Sequence, residues 1–477
     1  MKRVNIDTLA YLYIAGCGVF LAVTVLPLGL YSDDYWNLHV SADRSFGGFL
    51  QYHLANTNSR YVYALYHRLL TDLFFDPSDL FGARFIHVAH ILGTLMHSVV
   101  CFLLYRLLRA LRINAVAVFA VLPLLVFPLF GKQAVLWIGA YMAHVIGLLS
   151  FLIAAWATLK HRAVPLVIGT VIAVGASEFV LVPSLMLVGF YGWNEWRDAV
   201  ALPKKPRLKQ VFVRTAPLML PFVAYAVLVL SSNGLHRRIH VLEQYHKTQL
   251  WAAPLTFAGQ FFGHYLPTLQ PVDLFRELPL LLVPFFAALF LLSRSKKEAI
   301  RTGVLIAFLL GSLFPLAAVG YYTGGSRLRY IVGIFFYVCV AQALSAGIER
   351  WKTKQLQRIA FGLVTALTFA LTIYLATQFR SAAQDGRRAY DCITAVTMHL
   401  YKETDGVAPD RIEWCGESNR VGEFPVINRS SLPHALALKY GTEEPIRIER
   451  LKTCDENHTP FFAPSACTNP LWYKIHP

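Results

Sequence analysis

Apolar residues run along this chain in blocks of about 17–25, the length that crosses a bilayer core as a helix. Most lack the polar face of a surface helix. The pattern predicts about eleven helical spans, at 8–30, 83–105, 114–130, 137–159, 164–176, 178–193, 213–231, 278–293, 302–322, 330–347 and 359–378. The first block is too long for a signal-peptide core and has no small-residue cleavage site, so it reads as a retained span. The stretch 164–192 is long for one helix and short for two. Gly175, Ser177 and Glu178 interrupt it, which favours two short or broken helices over one tilted helix. The expected fold is an α-helical polytopic membrane protein. Residues 1–378 form a transmembrane domain, with a first outer loop over 31–82, and residues 379–477 form an extracytoplasmic tail.

Composition agrees with the pattern. Only 15% of the 477 residues are charged, against about a quarter in soluble domains. The net charge of +16 raises the question of nucleic acid, and its distribution answers it. Lys and Arg crowd short alternate loops: Lys2 and Arg3, Arg106 to Arg112, Arg197 to Arg214, Arg294 to Arg301, Arg350 to Arg358. The intervening loops are longer and poorer in cations. Cations resist translocation, so the rich side is cytoplasmic. The N-terminus is then inside, the tail outside, and the high pI is a topology signal that argues against a nucleic-acid partner.

Cysteine usage points the same way. Cys17, Cys101 and Cys339 lie inside apolar spans, whereas Cys392, Cys415, Cys454 and Cys467 fall in the polar tail. Four cysteines in one extracytoplasmic segment predict two disulfides of open connectivity. Zinc is the competitor, but no Cys-x-x-Cys pair is present. Short strands at Arg411–Trp414 and Pro445–Ile448 and a helix over Arg387–Tyr401 predict a small α/β cap.

Candidate chemistry begins where the first span leaves the membrane, at Tyr31-Ser32-Asp33-Asp34-Tyr35-Trp36-Asn37. A carboxylate at a low-dielectric boundary is a candidate general base; the alternative is an exposed pair that ends a helix. Tyr35, Trp36 and His39 follow as candidate substrate-lining residues, and Tyr61–Phe75 has the amphipathic pattern of an interfacial helix. Glu178 is either functional or part of a short solvated loop. Lys132 either touches phosphate or snorkels. His87, His90 and His97 share a helix face as a polar seam. His264 lies in a stretch that can line a lipid groove. In Tyr321-Tyr322-Thr323-Gly324-Gly325-Ser326-Arg327-Leu328-Arg329 two glycines permit close backbone approach and two guanidiniums can grip phosphate. Arg327 and Arg329 are therefore candidate donor-phosphate ligands, with Tyr321 and Tyr322 beside them.

An acidic pair at the outer end of the first span, a long first outer loop, about eleven spans and a soluble tail together resemble the GT-C membrane glycosyltransferases. The Ser-Asp-Asp-Tyr-Trp string is most similar to the phage-encoded serotype-converting O-antigen glucosyltransferases. That resemblance implies an inverting transfer of a sugar, glucose in that group, from undecaprenyl phosphate to lipopolysaccharide. The site would face the periplasm of a bacterial inner membrane. It implies Asp33 as base and Asp34 as the residue that orients the acceptor or a cation. No cofactor is required, and a divalent metal stays open. A flippase or other secondary transporter is the alternative. It accounts for the spans and leaves the outer loop, acidic pair and tail unexplained.

Overall fold

The computed structural model describes residues 5–30, 33–56, 60–76, 83–128, 131–200, 203–231, 295–319, 330–350, 354–415, 420–421, 424–425, 431–451, 458–461, 467 and 471–476. Asn5 opens helix α1 (Ile6–Val25) by accepting the Asp7 N–H at 3.0 Å. This satisfies one of the donors that a helix start leaves unpaired. Asp7 in turn accepts from Tyr105 Oη and from Arg109 Nε at 3.1 Å, tying α1 to α5 (Ala83–Ala110). The segment expected as the first outer loop holds three helices, α2 (Asp33–Asp43), α3 (Phe46–Asn56) and α4 (Tyr61–Phe74).

Then come α6 (Ala115–Val126), the single turn α7 (Gln133–Leu136), α8 (Ile138–Leu159), α9 (Ala163–Ala176), α10 (Leu181–Asp198) and α11 (Lys204–Ser231). The remaining long helices are α12 (Lys296–Val319), α13 (Tyr330–Ile348) and α14 (Lys354–Glu403). Helix α8 is apolar all round and lies at the centre of the bundle, buried over most of its length; a helix with no polar face has nowhere else to go. Helix α14 is the opposite case. Phe361, Leu363, Leu367, Phe369 and Ile373 stand exposed on it, a lipid-facing surface. Its 50 residues run unbroken for about 75 Å.

Among the described residues six helices are long and apolar enough to cross a membrane: Ile6–Val25, Arg84–Ala110, Ile138–Leu159, Lys204–Leu228, Tyr330–Ile348 and Phe361–Glu403. That is fewer than the eleven that hydropathy predicts. The expected spans at 114–130 and 164–176 coincide with α6 and α9, which have 12 and 14 residues, too few to cross about 30 Å alone. The span at 278–293 lies outside the described residues. The stretch 164–192 is broken, as Gly175, Ser177 and Glu178 suggested. Ser177 is extended (φ −149°, ψ 126°) and a 3-10 turn, Glu178–Val180, separates α9 from α10.

After α14 the tail forms a sheet of four strands in the order β4-β1-β6-β5, with β1 (Arg411–Cys415), β4 (Arg447–Leu451), β5 (Thr459–Phe461) and β6 (Leu471–His476). A two-stranded ribbon pairs β2 (Arg420–Val421) with β3 (Phe424–Pro425). Strand β1 pairs with β4 in parallel, Ile412 opposite Ile448, and with β6 antiparallel, Trp414 opposite Tyr473. Helix α15 (Leu432–Tyr440) ends on Gly441 at φ +69°, a left-handed cap that suits glycine. Cys392 of α14 is bonded to Cys467. Cys415 is also disulfide-bonded, and Cys454 lies outside the described residues.

Candidate active site

Asp33 is the first residue of α2 and Asp34 the second. The Asp34 side chain is fully buried. Its Oδ1 accepts the backbone N–H of Gly139 at 2.7 Å, and Gly139 lies in the first turn of α8. The N-cap residue of α8, Trp137, makes no side-chain capping bond. Asp34 therefore does the work of a cap from another element, and the positive end of the α8 dipole offsets the burial of its charge.

Asn37, one turn along α2 and also fully buried, donates from Nδ2 to the Tyr63 hydroxyl at 2.5 Å. All three side chains meet above Gly139. A Cβ built on that glycine would lie 2.9 Å from Asp34 Oδ1, 3.3 Å from Tyr63 Oη and 3.7 Å from Asn37 Nδ2. The missing side chain at 139 is what lets a carboxylate, a phenol and an amide converge on the start of α8.

The rest of α2 is held on both sides. Tyr35 is fully buried. Trp36 packs against Tyr52 and His53 of α3, ring centroids 5.8 and 5.1 Å away. His53 and His67 lie beneath, both fully buried; burial pushes each imidazole down to about 3, so both are neutral packing groups. His39 reaches the C-terminal domain. Its Nε2 donates to the Thr442 carbonyl at 2.8 Å, and its Nδ1 faces His434 Nδ1 of α15 at 2.8 Å. A carbonyl only accepts, so Nε2 carries the hydrogen. The facing Nδ1 atoms of His39 and His434 then share one hydrogen.

Of the candidate phosphate-binding cations, Lys132 lies among the described residues, at the start of α7. Gly131 touches the chain where α13 begins: a Cβ on it would fall 2.5 Å from Tyr330 Cα. Tyr330 donates to or accepts from His97 Nδ1 at 2.8 Å, and His97 Nε2 meets the Val126 carbonyl at 3.0 Å. Lys132 is half-buried beside this contact, and Tyr330 is the residue after Arg329. Arg327, Arg329, Tyr321, Tyr322 and His264 lie outside the described residues.

Glu178 is not on a solvated loop. Arg60 holds its carboxylate with two hydrogen bonds, from Nε at 2.8 Å and Nη2 at 2.5 Å. The histidine seam on α5 resolves into separate bonds, with His90 Nε2 3.4 Å from the Gly29 carbonyl and His97 as above. Among the described residues no three His, Cys, Asp or Glu side chains gather as a metal site. Sequence reasoning missed the roles of Arg60, Tyr63 and Gly139. Gly139 interrupts an apolar run, which is a weak sign of close backbone approach, but nothing in the chain pairs position 139 with 34.

No family model matches this chain, and no curated protein matches it.

Proposed function

We propose that the chain is an inverting membrane glycosyltransferase that moves a sugar, glucose by the resemblance, from a polyprenyl phosphate to a cell-surface polysaccharide such as O-antigen. In this reading the work is done on the periplasmic side of a bacterial inner membrane, by a GT-C-like bundle of about eleven spans. The supporting observation is the segment 131–139. At one end it meets the start of α13, the element that follows Arg327 and Arg329. At the other it anchors Asp34. Nine residues thus link Tyr330, which follows Arg327 and Arg329 in sequence, to Asp34 of the acidic pair; transfer from a lipid phosphate requires charges of both signs.

The chemistry divides accordingly. The acceptor oxygen forms a bond to the anomeric carbon as the bond from that carbon to the phosphate oxygen breaks. The leaving phosphate keeps the electron pair and needs no acid. The acceptor hydroxyl surrenders its proton to a carboxylate. Asp34, fixed on a helix start, orients; Asp33, one residue earlier, is the base. Lys132, Arg327 and Arg329 meet the charge that grows on the phosphate. Tyr35, Trp36 and His39, on the same helix α2, stand as the substrate-lining candidates.

Purified protein in proteoliposomes, given polyprenyl-phosphate glucose and lipopolysaccharide, tests this. Transfer should occur and fall about 10²–10⁴-fold in Asp33→Asn. Wild-type turnover in both Asp33→Asn and Asp34→Asn would overturn it. Arg327→Ala should lower turnover as well as donor affinity, because the charge it meets is largest in the transition state.

A further inference from the structure

Arg60 and Glu178 form a buried polar pair that has no part in the reaction. Arg60 and Glu178 are 118 residues apart in the chain, and their side chains keep only 20% and 16% of their exposure. Burying two charges forfeits their hydration, so such a pair adds little net stability while holding its elements in one geometry. Arg60 is the residue that opens α4, and Glu178 sits in the turn between α9 and α10. A second bond lies alongside, from the Tyr61 hydroxyl to the Val171 carbonyl at 2.8 Å. The start of α4 is thus pinned to the membrane body at two points. One turn further on is Tyr63, whose hydroxyl lies within electrostatic reach of the Arg60 guanidinium. That hydroxyl holds Asn37, and Asn37 is one turn from Asp34 on α2.

We propose that the Arg60–Glu178 pair is a positioning element for the acidic pair. It fixes the start of α4, which sets the Tyr63 hydroxyl. Tyr63, through Asn37, sets the rotation of α2 and so the direction of the carboxylates at its start. None of Arg60, Glu178, Tyr63 or Asn37 takes a proton or touches the leaving group. The inference rests on the reading of Asp33 and Asp34 as the reacting carboxylates, but its geometry is open to measurement without a sugar.

The experiment uses the full chain in detergent and four variants: Glu178→Gln, Arg60→Lys, Tyr63→Phe and the charge-swapped double variant Arg60→Glu with Glu178→Arg. A hydrophobic carbodiimide is the probe, and modification of Asp33 and Asp34 is mapped by mass spectrometry. Glu178→Gln and Tyr63→Phe should raise labelling at Asp34 several-fold, and Arg60→Lys should raise it less. The swap should bring it back toward wild type. In the transfer assay kcat should fall about ten- to a hundredfold with donor KM unchanged, and the acidic limb of the pH–rate profile should move in Tyr63→Phe. Tyr63→Phe removes only a hydroxyl and so guards against loss of fold. Unchanged labelling and an unchanged acidic limb, even with a lower melting temperature, would make the pair a structural brace and overturn the proposal. Changed labelling in a protein whose wild type transfers no sugar would uphold the positioning and remove the glycosyltransferase reading instead.

Discussion

A methyl group at position 139 separates site geometry from stability. Alanine is the better helix residue there by roughly 0.5–1 kcal/mol, and Gly139→Ala should leave melting temperature level or slightly higher. Yet its Cβ would lie 2.9 Å from Asp34 Oδ1, inside any real contact, and the carboxylate is what must move. Transfer should fall about a hundredfold, measured beside thermal unfolding in the same preparation. Equal activity in Gly139→Ala would mean that Asp34 is not held in a reacting position. At this scale the sequence was half legible. Adjacent acids at the mouth of an apolar span are conspicuous because the neighbouring lipid makes charge costly. Their partners Gly139, Tyr63 and Arg60 are not, because each is an ordinary residue until the fold brings it to α2.

Elements meet most tellingly at α2 and α15, where His39 and His434 share one hydrogen between facing nitrogens. Burial, and then His39, push the His434 imidazole down to about 4 from its ordinary 6.5. An unfolded chain binds that proton near 6.5 and the folded one only near 4. Stability from this group is therefore complete above 6.5 and is lost as pH falls toward 4, by about 3 kcal/mol in all. His53 and His67 act in the same direction. Protection factors of the α15 amides, corrected for the intrinsic slowing of exchange in acid, should fall between pH 6.5 and 4, and His434→Gln should flatten that dependence. An unaltered profile in the variant would place the acid sensitivity elsewhere. The break between α9 and α10 was readable from Gly175, Ser177 and Glu178. The short length of α6 was not, since hydropathy sees that a stretch is apolar and not where its helix stops. The strand at 411 was legible from its apolar run, and the one expected over 445–448 was legible in part, since it begins at Arg447 and runs on to Leu451. The parallel pairing of β1 with β4 was not, because that contact joins residues 36 positions apart.

For the whole molecule, the distribution of Lys and Arg predicts which ends face the cytoplasm. A cysteine introduced at Lys205 should resist a membrane-impermeant maleimide applied to spheroplasts, and one introduced at Glu403 should react. Labelling of both, or of neither, would reject the placement of these two sites on opposite sides of the membrane. Cys17, Cys101 and Cys339 are free but lie in helices, so background should be low. Peptide mapping without reductant should recover Cys392 joined to Cys467, and Cys467→Ser should free the sheet from α14 without disturbing membrane insertion. Recovery of either cysteine as a thiol in native protein would contradict the pairing.

Helix α14 carries a constraint of another kind. It contains no proline and is continuous from Lys354 to Glu403, so the C-terminal domain is mounted on a shaft with a fixed angular phase. Each residue inserted between the membrane and Cys392 would turn that domain by 100° and lift it by about 1.5 Å. Seven residues nearly restore the angle but add about 10 Å of height. No insertion there keeps both, so His434 would lose His39 in every case. Length variation among natural homologues should accordingly spare 380–392 and collect in the loops of the sheet, where an extra residue changes no phase.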